Sequence, residues 1–314
     1  MTESAETRDA YGQALIELGD EYPNLVVLDA DLAASTRTAR FGKKFPERFF
    51  DMGVAEQDMI GTAAGLATTG KIVFASTFAA FASGRAWEQV KISVAYPRLN
   101  VKIVVTHGGI TVGEDGVTHQ ANEDLAIMRV LPNLTVIVPS DAVMVPAVIR
   151  AAVKAYGPFY IRLSRSATPI IYKEPFKFVI GKGIELRKGS DVAIIACGIM
   201  VKKALDAAEE LAKIKISARV IDMPTLKPID RELIVRAAKE TRAIVTAEEH
   251  SIIGGLGSAV AEVLGEEHPT PMVRVGVKDM FCESGKPEEL LVKYGLDTPD
   301  IVRAAQEVVK RRPR

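Results

Sequence analysis

The sequence predicts an α/β fold of two consecutive domains, each built on a mainly parallel sheet. Three observations predict it. At 314 residues the chain is about twice the length of a typical domain. Short runs rich in β-branched residues alternate with helical stretches from end to end. Apolar residues predominate in each run and are not confined to every second position, as expected when crossover helices cover both faces of a sheet.

In the first domain the strands are expected at residues 25–28, 72–75, 101–105, 134–138 and 159–163. A strand-like stretch at 48–52 leads through Gly53 into a helix that reaches about residue 69. Ser140 or Asp141 can cap a helix running to about residue 155, and Thr298 followed by Pro299 can open the last helix. Between residues 166 and 189 the pattern breaks into Pro169, Pro175, Gly181, Gly183 and several lysines. That composition suits a linker and the hairpin that opens a second domain. The expected division is 1–170, a linker at 171–189, and 190–314, with second-domain strands at 192–196, 218–221, 243–246 and 273–275.

Composition excludes several classes. Forty Lys and Arg cancel forty Asp and Glu, so no basic field exists to select nucleic acid or an anionic membrane. With 48% hydrophobic and 25% charged residues, the chain matches a globular protein and not a disordered or fibrous one. Cys197 and Cys282 form no C-x-x-C pair, which argues against a disulfide framework or thiolate metal site and suits a reducing cytoplasm. The first nine residues are polar and acidic, unlike a secretory signal. The longest apolar run, near residues 192–201, is about half of a membrane span.

Chemistry concentrates in three places. Residues 106–120 follow an expected strand and hold two of the four histidines, His107 and His119, with Glu114 and Asp115 among several glycines. Ligands of parallel sheets bind beyond the carboxyl ends of strands, so this loop is a candidate site; taken alone it is equally a solvated turn. Zinc is disfavoured because no third ligand follows at a standard spacing. Glu56, in Gly53-Val54-Ala55-Glu56-Gln57, reads by itself as a first-turn carboxylate complementing a helix dipole. Phe78 and Phe81 fall on one face if the segment is helical, as core aromatics or as the wall of a cofactor ring. Gly255-x-Gly257 has Val260 where a dinucleotide motif needs glycine, so no such site is read there.

In combination these stretches carry a family resemblance. Asp31-Leu32-Ala33-Ala34-Ser35, Gly53-Val54-Ala55-Glu56, Thr77-Phe78-Ala79-Ala80-Phe81, Thr106-His107, Gly113-Glu114-Asp115-Gly116-Val117-Thr118-His119-Gln120 and Leu163-Ser164-Arg165 occur in the order of the transketolase family. They span most of residues 8 to 165. The remainder, with Glu248-Glu249-His250-Ser251 and Gly254-Gly255-Leu256-Gly257-Ser258, looks more loosely like that family's C-terminal domain.

The resemblance implies that the first domain binds the pyrimidine of thiamine diphosphate. Glu56 would hydrogen-bond a ring nitrogen, a task for a protonated carboxyl in an apolar pocket. Phe78 and Phe81 would stack around the ring, with Asp31 also at the cofactor. His107, Asp115 and His119 would bind sugar hydroxyls and the carbonyl, with proton transfer open to the histidines. Arg8, Ser35, His107 and Arg165 would hold a substrate phosphate, a task suited to the guanidinium fork. Gly84 stands where many transketolases carry an aromatic, and Ala55 and Gln57 flank the glutamate as in deoxyxylulose phosphate synthase.

The family's diphosphate motif, Gly-Asp-Gly followed by Asn, does not occur in this sequence. Helix signals from Arg8 and a basic tail give both ends the look of natural termini. The resemblance therefore implies a separate N-terminal subunit that binds the diphosphate and magnesium, two copies of each chain, and no metal ligand here. The implied activity, in carbohydrate metabolism and the pentose phosphate pathway, is transfer of a two-carbon ketol unit between sugar phosphates. Half of a deoxyxylulose phosphate synthase, the beta subunit of a 2-oxoacid dehydrogenase, and a non-catalytic regulatory subunit are the alternatives.

Overall fold

The computed structural model describes residues 3–174 and 176–312; Pro175 of the expected linker lies outside the described residues. Along the chain the strands are β1 (Ser4–Glu6), β2 (Leu25–Asp29), β3 (Phe49–Asp51), β4 (Ile72–Phe78), β5 (Val101–Thr106), β6 (Thr135–Ile137), β7 (Phe159–Arg162), β8 (Ala167–Pro169), β9 (Ile184–Arg187), β10 (Val192–Ala196), β11 (Ala218–Asp222), β12 (Thr225–Lys227), β13 (Ile244–Ser251) and β14 (Met272–Val277).

A seven-stranded sheet has the order β12-β6-β7-β5-β4-β2-β3, parallel except for β12. A five-stranded sheet has the order β14-β13-β10-β11-β9, parallel except for β9. The continuous apolar runs do bury both faces. In β2, Val26 and Leu28 pack with Met59 and Ile60 of the helix Glu56–Thr68. Leu25 and Val27 face the other way, onto Leu15 and Leu18 of the helix Thr7–Glu21 and Val148 of the helix Met144–Lys154. Fully burying each such side chain contributes about 1.5–3 kcal/mol, which fixes the helices against the sheet.

The two domains share apolar surface. Val136 and Val138 of the first lie in one cluster with Ile195, Ile221, Leu226 and Leu256 of the second. The second domain also lends β12 to the edge of the first sheet, pairing Thr225 with Ile137. Among the described residues of 166–189, the two strands do not pair with each other as a hairpin. β8 pairs antiparallel with β1, and β9 pairs antiparallel with β11, so each strand closes a different edge.

One local expectation is corrected and two are made specific. Phe78 is the last residue of β4 and only Phe81 is helical, within Ala79–Gly84, because the strand continues through Ser76 and Thr77. Asp141, not Ser140, starts the helix Met144–Lys154: its carboxylate accepts from the backbone of Val143 at 3.0 Å and Met144 at 2.8 Å. Ser140 donates instead to Asp222. The last helix, Thr298–Lys310, is capped by Asp297 in a reciprocal box with Asp300, leaving Thr298 and Pro299 inside its first turn. Among the described residues no helix is long and apolar enough to cross a membrane.

Candidate active site

Parallel pairing brings the carboxyl ends of β2, β3, β4, β5 and β7 to one edge, and the motifs lie just beyond them. Phe78 ends β4. His107 follows β5 with a left-handed φ of 62°, a conformation that is uncommon outside glycine and recurs at functional positions. Its ring stacks on Phe78 at 3.8 Å between centroids. Phe78 in turn stacks on Phe81 at 5.6 Å, and His119 meets Phe81 edge-on at 5.2 Å. Two aromatic rings and two imidazoles thus form one continuous surface.

Nδ1 of His107 lies 2.7 Å from the Thr106 hydroxyl. Burial drives the His107 pKa down to about 3, with further lowering from Arg8, Arg165 and His119, so the ring is neutral at physiological pH.

Glu56 is the first residue of its helix and is buried, 4% exposed. Its Oε1 accepts from Arg85 Nη1 at 2.8 Å, and the same guanidinium sits 4.1 Å from the Phe81 ring centre. A cleft of about 420 Å³ opens here, lined by Val54, Ala55, Glu56, Gln57, Asp58 and Arg85. The apolar pocket expected around Glu56 is therefore replaced, in this chain alone, by a charged one. Arg85 carried no motif signal in the sequence.

Asp31 is exposed, with a φ of 62°. Its backbone donates to Asp51 Oδ1 at 3.0 Å, and that oxygen also accepts from Gly53 at 3.0 Å, so one carboxylate ties the Asp31 loop to the Glu56 loop. Asp29 organises the same region from below. Wholly buried, it accepts from the Leu32 backbone at 2.7 Å and from the hydroxyls of Thr36 and Thr38 at 2.7 and 2.8 Å. Burial raises its pKa to about 6 despite those bonds.

Arg8 holds Glu6 through two bonds of 2.9 and 3.1 Å and donates to the Ser35 carbonyl at 3.2 Å. Arg165 donates to the Val112 carbonyl and reaches Glu114 at 3.1 Å. The positive charges of both guanidiniums lower the His107 pKa, and Arg8 also reaches the Ser35 loop. Ser35 meets Arg8 by its carbonyl and not its hydroxyl. Asp115 is exposed at the end of the 3₁₀ turn Ile110–Asp115.

The glycines of this loop answer to neighbours from both domains. A Cβ on Gly108 would lie 2.1 Å from Arg162 Nε, and one on Gly109, whose φ is +77°, would lie 2.2 Å from Glu249 Cδ. Glu249 accepts from the Thr111 backbone at 2.7 Å. Arg162 donates to the Glu249 carbonyl at 2.9 Å and faces Asp124 at 3.1 Å; Tyr160 donates to Asp124 at 2.8 Å. This buried network, absent from the sequence reading, joins the catalytic-loop candidate to β13. Its one local signal was Arg162 inside an otherwise apolar strand. Glu248 accepts from the backbones of Leu256 and Gly257 at 2.7 Å each, so Gly255-x-Gly257 wraps an internal carboxylate.

Comparison with known proteins places this geometry. Residues 3–170 match the model of the transketolase pyrimidine-binding domain, and residues 181–301 that of the transketolase C-terminal domain. The chain is 56% identical over 307 residues to a Methanocaldococcus jannaschii chain named as a transketolase C-terminal section, covering 97% of this chain and 96% of that one. It is 49% identical over 305 residues to a 6-deoxy-6-sulfo-D-fructose transketolase subunit of a Clostridium species, covering 97% and 95%. Among solved structures, a split-gene transketolase described as an inactive β4 tetramer superposes with a TM-score of 0.93 at 57% identity, covering 98% and 99%.

Proposed function

The chain belongs to the transketolase family, as the C-terminal section of a split transketolase, and from that premise we propose that it is one subunit of a two-chain enzyme that transfers a ketol unit between sugar phosphates with thiamine diphosphate. The observation that carries the reading is the continuous surface from Glu56 and Arg85 through Phe81 and Phe78 to His107 and His119, flanked by Arg8 and Arg165.

That surface fits a flat, partly polar ring. Phe81 is half-buried beneath the Arg85 guanidinium, Glu56 offers a carboxyl, and among the described residues the buried Thr77 hydroxyl has no hydrogen-bond partner. Phe78, Phe81 and Glu56 would hold the pyrimidine, with Asp31 at the margin of its loop. When bound, the cofactor supplies the electron sink that the protein's own side chains lack. The charged end does not fit this chain in the family manner, since Gly-Asp-Gly is missing. A partner subunit would bring the diphosphate and magnesium site to the open cleft at Glu56, in a two-plus-two assembly.

The chain's remaining residues divide the work on the sugar. Arg8 and Arg165, released from Glu6 and Glu114, would hold the phosphate with His107 and the Ser35 loop. Asp115 would accept from hydroxyls, and His119, half-buried and adjacent to both rings, would hold or move a proton at the reacting carbonyl oxygen. The sulfosugar relative suggests a second donor class, because a sulfonate presents the same three-oxygen face to two arginines.

The test is reconstitution with a candidate partner carrying Gly-Asp-Gly, followed by assays with xylulose 5-phosphate plus ribose 5-phosphate, with a 6-sulfo ketose donor, and with pyruvate plus glyceraldehyde 3-phosphate. Ketol transfer without pyruvate consumption supports the proposal. Turnover by this chain unaided contradicts the division between two subunits.

A further inference from the structure

His107 and His119 meet the same aromatic pair, and each follows a threonine whose hydroxyl lies on its Nδ1. Thr106 Oγ1 is 2.7 Å from His107, and Thr118 Oγ1 is 2.9 Å from His119. The threonines differ in setting: Thr106 closes β5 with no exposed surface, whereas Thr118 is exposed. Among the described residues the imidazole nitrogen is the sole hydrogen-bond partner of the Thr106 hydroxyl. A buried O–H that fails to donate is costly, more so than a spare lone pair. The hydroxyl therefore donates, Nδ1 accepts, and the proton of the neutral ring is on Nε2.

We propose that Thr106 is a positioning residue that locks His107 in its Nε2–H form, making His107 a fixed hydrogen-bond donor to substrate and not a base. The substrate half of this statement rests on the function proposed above. The stack on Phe78 fixes the ring plane, and the depressed pKa keeps the ring neutral, so one tautomer persists across physiological pH. Nε2 engages no partner among the described residues and is left to the site. Thr118, in contact with water, exchanges its bond freely; His119 keeps both tautomers accessible and is the histidine suited to moving a proton.

Long-range ¹H–¹⁵N spectra of the full chain, labelled at histidine, read the tautomer without substrate, cofactor or partner. From pH 6 to 8, His107 is expected to show an unprotonated Nδ1 and a protonated Nε2. Thr106→Val, which keeps the strand shape, is expected to give a tautomer mixture, and Thr106→Ser to restore the single form. In the reconstituted complex, Thr106→Val should raise KM for the sugar phosphate about tenfold with kcat changed less than about threefold, and Thr106→Ser should return KM to within about twofold. A protonated Nδ1 in the unsubstituted chain overturns the proposal, as does a Thr106→Ser variant that unfolds normally yet is as impaired as Thr106→Val. A locked tautomer with KM unmoved by Thr106→Val supports the lock and overturns the substrate role.

Discussion

Glu56 and Arg85 form a 2.8 Å ion pair at the mouth of the cleft, with the glutamate side chain 5% exposed and the arginine 52%. A pair with one partner in solvent contributes at most about 1 kcal/mol. Arg85 therefore does little for the fold but competes with any ligand for the carboxyl. Arg85→Gln should change unfolding free energy by less than about 1 kcal/mol and tighten thiamine diphosphate binding to the reconstituted complex by up to about fivefold. Urea unfolding and calorimetric titration check the two halves; weaker cofactor binding would show that Arg85 itself contacts the ligand.

Arg162 is the cation between two buried acids, Asp124 and Glu249, one from each domain. Arg162→Met leaves both carboxylates without it. The expected loss is about 3–5 kcal/mol, read from the urea midpoint of the chain. A loss under about 1 kcal/mol would mean that the shared apolar cluster and the β6–β12 pairing hold the domains without help from this network.

Glycines in the loop and in the neighbouring helix should respond oppositely to alanine. Gly109 combines a φ of +77° with an added Cβ 2.2 Å from Glu249 Cδ, so Gly109→Ala should destabilise by more than about 2 kcal/mol. Gly61, inside the helix Glu56–Thr68 and facing open space, should stabilise the isolated chain by about 0.5–1 kcal/mol on conversion to alanine. Thermal unfolding of the two variants gives the signs directly.

Stability should depend on pH through buried groups of two kinds, raised acids and lowered bases, with His107, lowered to about 3, opposing the aspartates below about pH 6.5. Asp29 and Asp222 have folded pKa values raised to about 6 and about 7 by burial. Their contribution is full below about pH 4 and is lost as pH rises through those values. Lys102, fully buried, donates to the carbonyls of Ala155 and Gly157 over the Phe159 ring and is lowered to about 7 by burial. The folded state then binds fewer protons than the unfolded chain between about pH 7 and 10.5, so this contribution grows with pH. Urea titrations from pH 5 to 9.5 should show Asp222→Asn flattening the acid-side fall and Lys102→Met flattening the alkaline-side rise. Unchanged slopes would place those protons elsewhere.

The central parallel strands were legible because burial on both faces demands predominantly apolar runs, and β2, β4, β5 and β10 carry them. β12 was not, since Thr225, Leu226 and Lys227 have no periodicity of their own and are recruited by the free edge of β6. The helical reading of Phe78 failed for a related reason: Ser76 and Thr77 interrupt the apolar run although both are fully buried in β4. At the site, the motif residues could be read because they sit together in short loops. Arg85 and the Arg162 network could not, because their roles depend on partners distant in sequence, and Asp29 gave no motif although its partners Leu32, Thr36 and Thr38 lie close along the chain. Glu249, for one, lies 87 residues from Arg162. The loop glycines were recognised as special, but the neighbours that require them, Arg162 for Gly108 and Glu249 for Gly109, are distant in sequence.

The most direct measurement is ketol transfer by the reconstituted complex carrying Glu56→Ala, assembled to the same extent as the unsubstituted complex. The account predicts a fall in kcat of at least about a hundredfold, as for loss of a group that acts in proton transfer. Full activity in the Glu56→Ala complex would contradict it.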